Sequence, residues 1–100
     1  MILLRIKVRC LPDRMQQALA VFTAVIEPSR ELEGVIRFDV GRDLTDPDAI
    51  VALELFEDEA ARERQESLPQ VATLWRLLPE IAAEPPELTL FEIASAVPAL

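Results

Sequence analysis

In the stretch "LELFEDEAARERQESLPQ", residues 53–70, one carboxylate, Glu54, stands among apolar neighbours, with Leu53, Leu55 and Phe56 beside it and Val51 just upstream. Burial in such surroundings disfavours the ionised form and lifts a carboxyl toward the pKa of a general base at neutral pH. The competing role, and the more common one for a glutamate on a strand, is an ion pair across the sheet with Arg5 or Lys7, which keeps it ionised and inert. Glu92, near the other end of the chain, is open to the same two readings. Gln65 and Gln70 follow in the same stretch. Each amide both donates and accepts, so it orients a polar ligand atom but does not take its proton at neutral pH. Trp75, the only tryptophan, offers a flat apolar face and one N–H donor. Its helical spacing suits a core position equally well.

Missing residue types narrow the chemistry further. The 100 residues include no His and no Tyr, which rules out a Ser-His-Asp set and imidazole ligation of zinc or haem iron. No Gly-rich phosphate loop is present. Cys10 is the single cysteine. It has no disulfide partner and ends an apolar alternation, where a small buried hydrophobe is expected rather than a reactive thiol. Asp46 and Asp48 flank a turn but fall short of the ligand count of a calcium loop, and no metal site is expected. The run "EDEAARERQE" reads as a solvated helix face with pairs along it. A net charge of −8 disfavours nucleic acid and anionic membranes as partners. In "MILLRIKVRC" basic residues at every second position from Arg5 interrupt the apolar run, which argues against a signal peptide or a membrane span there. A reducing cytoplasm is the expected compartment.

The elements that must position these side chains follow from periodicity. With 51% hydrophobic residues and 2 glycines, residues 1–100 read as a single globular domain. Ile2, Leu4, Ile6, Val8 and Cys10 alternate with polar positions and mark a strand. Met15, Leu19, Phe22 and Ile26 are three or four apart and mark a helix that opens at Pro12 or Asp13 and closes near Pro28. Gly34 supplies a turn into a strand with Ile36, Phe38 and Val40 on one side and Arg37 and Asp39 on the other. After the "LTDPD" turn, "AIVALELFE" is a third strand, apolar on both faces except for Glu54. A polar helix from Asp58 to about Ser67 leads at Pro69 into a second piece with Val71, Leu74 and Leu78 as its stripe, broken by Pro79. "LTLFEIASAV" is the last strand. This order predicts an α+β, ferredoxin-like split βαβ fold (βαββαβ) with a four-stranded antiparallel sheet in the order 4-1-3-2 and its helices on one face. On the other face, Arg5, Lys7 and Arg9 are expected to oppose Glu54 and Glu92, with Leu3, Val35 and aliphatics of the third and fourth strands between them. So much apolar area predicts a homodimer in which two sheets face each other.

In their order and spacing, "EPSRELEGVIRFDVGRDLTDPDAIVALELFEDEAA" and the following "RERQESLPQV" resemble the antibiotic biosynthesis monooxygenase superfamily, which includes small quinol monooxygenases. The resemblance covers most of the chain. It implies a dimer of ferredoxin-like subunits, a dimeric α/β barrel, with a cleft between sheet and helices that has room for an aromatic ring. It also implies oxidation of a quinol or polyphenol by dioxygen without metal, flavin or nicotinamide. Where many relatives show a pattern like His-x-x-Ser-Pro-His-Phe, this chain has "QESLPQV", so Gln65 and Gln70 stand in place of the histidines and Val71 in place of the phenylalanine. On this reading Glu54, Gln65, Gln70 and Trp75 form the reactive set, and Met15, Phe22, Phe38, Phe56, Leu74 and Phe91 build the core and line the pocket. The alternative, motivated by the missing His and Tyr, is a non-catalytic dimeric module that binds a hydrophobic small molecule or a partner.

Overall fold

Ile2, Leu4, Ile6 and Val8 alternate with Leu3, Arg5, Lys7 and Arg9, and this period of two makes β1 (Ile2–Arg9) a strand with one apolar face. In the computed structural model, which describes residues 1–100, β1 leads through a short 3-10 turn (Pro12–Arg14) into α1 (Met15–Arg30), and then come β2 (Val35–Asp43), β3 (Asp46–Phe56), α2 (Glu59–Glu66), α3 (Pro69–Ile81) and β4 (Glu87–Glu92). The strands form one antiparallel sheet in the order β2-β3-β1-β4. This is the ferredoxin-like arrangement that the succession of elements predicts, with β1 and β3 central.

Both helical layers cover the face that carries Leu4, Ile6 and Val8. Met15, Ala18, Phe22 and Val25 of α1 and Val71, Leu74, Leu78 and Ile81 of α3 close over Phe38, Ile50, Ala52 and Phe56. Each large side chain buried there contributes about 1.5–3 kcal/mol. Local signals place the helices over the sheet. Asp58 caps α2, its carboxylate accepting from the Ala61 N–H at 2.9 Å, a bond worth about 1 kcal/mol. Pro69 opens α3, where its missing N–H costs nothing.

Three expectations from periodicity are corrected. Pro28 stands near the end of α1 at Arg30, as expected, but Pro79 does not break α3, which continues to Ile81. Each proline removes one backbone bond near a helix end, and the fully buried Ser29 and Ile81 beyond them hold the last turn in place. Ile36 does not share a face with Phe38 and Val40. A bulge between Val35 and Arg37 lets Val35 oppose Phe56, so Val35 packs against the core and Ile36 turns outward. The extra residue shifts the alternation by one. Glu54 and Glu92, finally, do not share a face with the basic row of β1.

Candidate active site

The register of β3 decides the place of Glu54. It opposes Leu4 on β1 and Phe38 on β2, which puts it on the helix-covered side with 4% of its surface exposed. Arg5 and Lys7 oppose Leu53 and Val51 on the other side and find different acids: Arg5 lies 3.8 Å from Glu87 and Lys7 3.3 Å from Asp43. Arg9 pairs with Asp46 at 2.8 Å. The expected ion pair of Glu54 with Arg5 or Lys7 is therefore absent. Glu92 opposes Ile2, is exposed, and takes no part in the basic row.

Over Glu54, α1 contributes Phe22 and Val25, α2 contributes Gln65 and Glu66, and α3 contributes Val71, Leu74 and Trp75. With Leu4, Ile6, Phe38, Val40 and Ala52 as a floor, they enclose a cavity of about 30 Å³. Ten of its thirteen lining residues are hydrophobic, so little is available to stabilise a buried negative charge. Burial pushes the Glu54 carboxyl up from 4.5 to about 7; nearby Glu66 adds to the rise and Arg62 opposes it. A carboxylate of that proton affinity ionises within the physiological range and accepts a proton there.

The chain matches the family model "antibiotic biosynthesis monooxygenase" over residues 1–74, a span that reaches from β1 into α3 and includes Glu54, Gln65 and Glu66. The chain belongs to this family. An uncharacterised protein of Synechocystis sp., sll1783, is 26% identical over 83 residues, which are 83% of this chain and 56% of that relative; this chain thus spans little more than half of the relative's length. Among solved structures, Rv0793 from Mycobacterium tuberculosis superimposes with a TM-score of 0.88 at 18% identity, covering 97% of this chain and 98% of the other. A conserved protein from Methanosarcina mazei Go1 does so with a TM-score of 0.83 at 22% identity, covering 90% and 89%. These likenesses establish the fold.

In this family member the side chains singled out from sequence separate into two groups. Glu54, Gln65, Trp75, Phe22, Phe38 and Leu74 meet around the cavity. Met15 and Phe56 are buried core outside its lining. Phe91 opposes Leu3 on the open face of the sheet and is 44% exposed. Gln70, in the first turn of α3, stays out of the cavity and leaves its Oε1 buried without a partner. Gln65 is fixed by a buried bond from its Nε2 to the Ser29 hydroxyl of α1 at 3.1 Å. Sequence reasoning missed Glu66 as a lining residue, and with it the apolar Leu4, Ile6, Val25, Val40, Ala52 and Val71. Glu66 follows Gln65 directly, so the pairing was within reach; Ala52 carries no signal beyond its small size.

The size of the hollow differs from the expectation too. About 30 Å³ holds one or two waters, whereas cavities that take benzene measure about 150 Å³. Trp75, 42% exposed, lines both this cavity and an outer groove of about 350 Å³ that runs past Leu78, Pro79, Glu84 and Pro85.

Proposed function

We propose that this protein oxidises a small aromatic quinol or polyphenol with dioxygen, using Glu54 as the base and no cofactor. The observation that carries this reading is one carboxylate, 4% exposed in an apolar cavity, with its proton affinity raised to about 7. Family membership supports the class of reaction. A ring enters from the outer groove as Trp75 turns aside and then stacks against it. Glu54 removes a phenolic proton, and the phenolate gives one electron to dioxygen. The radical pair combines at a ring carbon that bears hydrogen. Loss of that hydrogen as a proton, with cleavage of the O–O bond, leaves a carbonyl on the ring, and the departing oxygen takes up this proton and the one held by Glu54 to leave as water. The net change is quinol plus dioxygen to hydroxyquinone plus water, so both electrons that reduce the second oxygen atom come from the substrate. The apolar walls shield the intermediate from water, and Gln65, held by Ser29, orients the substrate oxygen.

The site is proposed to work within a homodimer. Leu3, Val51, Leu53, Leu55 and Phe91 share the uncovered face of the sheet, with Leu53 42% and Phe91 44% exposed, and a second sheet is the natural cover for such a strip. The test of the activity is oxygen uptake by the purified protein with a panel of hydroquinones and naphthols. Uptake well above the buffer rate is expected, and uptake no faster than in buffer refutes the reading. A second reading, a non-catalytic binder of hydrophobic small molecules, is favoured by the small resting cavity. It predicts a change in Trp75 emission on adding the same compounds, without oxygen consumption.

A further inference from the structure

A buried base must be ionised before it can take a proton, so it has to equilibrate with solvent, and the cavity offers only a few polar groups through which a proton can pass. Three of its lining side chains are polar: Glu54, Gln65 and Glu66. Gln65 does not ionise and is committed to Ser29. Glu66 differs from both. It lines the cavity, yet 44% of its side chain is exposed, so one carboxylate touches the interior and bulk water together. Arg62 fixes it there. The Arg62 Nε lies 3.1 Å from Glu66 Oε1 as an ion pair, without the alignment of a hydrogen bond, while its Nη1 donates to Glu59 at 3.2 Å. Glu54 and Glu66 both line one cavity of about 30 Å³, enough for one or two waters by the usual requirement of about 10–15 Å³ each.

We propose that Glu66, clamped by Arg62, is the outlet through which Glu54 exchanges its proton with solvent. The inference rests on Glu54 being the proton acceptor of the site. The other elements packed around Glu54 offer no competing route: β1 faces it with Leu4, β2 with Phe38, α1 with Phe22 and Val25, and α3 with Val71, Leu74 and Trp75. Its ionisable neighbours are Glu66 and Arg62 of α2 alone. Arg62 serves as a positioning residue, because a guanidinium stays protonated and passes on no proton.

Carbon-13 spectra of glutamate side chains in the full-length protein test this without depending on turnover. Titration gives the midpoint of the Glu54 signal, and line broadening through the midpoint gives the rate at which its proton exchanges. In Glu66→Gln, at equal thermal stability, that exchange is expected to slow by about tenfold or more, with recovery in Glu66→Asp. The midpoint is expected to fall, since a like charge is lost. Wild-type exchange in Glu66→Gln overturns the proposal, as does equally slow exchange in Glu66→Asp. Oxygen uptake is scored separately. A wild-type protein that consumes no oxygen refutes the proposed oxidation, while slowed exchange in Glu66→Gln still supports the outlet.

Discussion

Glu54 carries a cost that an ion-paired glutamate would not. Its proton affinity in the folded chain lies above the ordinary value, about 7 against 4.5, so between these two pH values the folded state holds a proton that the unfolded state has released. Stability attributable to this group is complete below about 4.5 and declines as pH rises through about 7, by roughly 1.4 kcal/mol per unit of separation, or about 3 kcal/mol in all. Glu54→Gln keeps the shape and removes the charge. It is expected to raise the melting temperature at pH 8 and leave it nearly unchanged at pH 4.5. An equal effect at both pH values would mean that Glu54 is not buried in its ionised form. Asp43 runs the other way: bonds from the backbone and hydroxyl of Thr45, with Lys7 nearby, hold its carboxyl down at about 2.

At the scale of elements, the four strands, the helices and their order were legible because their periods were clean. The side of the sheet to which Glu54 points was not, because "AIVALELFE" is apolar on both faces and a slip of one residue exchanges them. Charge complementarity then favoured a pairing with Arg5 and Lys7, whose actual partners, Glu87 and Asp43, sit at strand ends where alternation gives little information. The bulge after Val35 was hidden for the same reason, since "VIRF" permits either phase. Gly34 is a position where the sequence did signal geometry. Its φ is +87°, and a Cβ there would lie 2.6 Å from the Ala61 Cβ, which locks the turn before β2 against the first turn of α2. Gly34→Ala is expected to cost about 1–3 kcal/mol from backbone strain alone, with a further loss from displacing α2 and, with it, Gln65 and Glu66. Chemical denaturation that shows no loss would contradict this packing.

For the whole molecule, the sheet is covered on one side only. Leu53 lies on the uncovered face beside Arg5 of β1 and Asp39 of β2, so its replacement tests the face without touching the cavity on the opposite side. The wild-type chain is expected to sediment as a dimer and Leu53→Glu as a folded monomer. A monomeric wild type would remove the paired-sheet assembly and leave the cavity intact. The claim on which the chemistry depends is decided by the pH dependence of oxygen uptake in wild type and Glu54→Gln with one reactive quinol. Wild-type kcat/KM is expected to rise with pH through about 7 as Glu54 ionises, and Glu54→Gln is expected to lose about 100-fold or more with no limb at that pH. Uptake by Glu54→Gln at the wild-type rate, with the same pH profile, would contradict it.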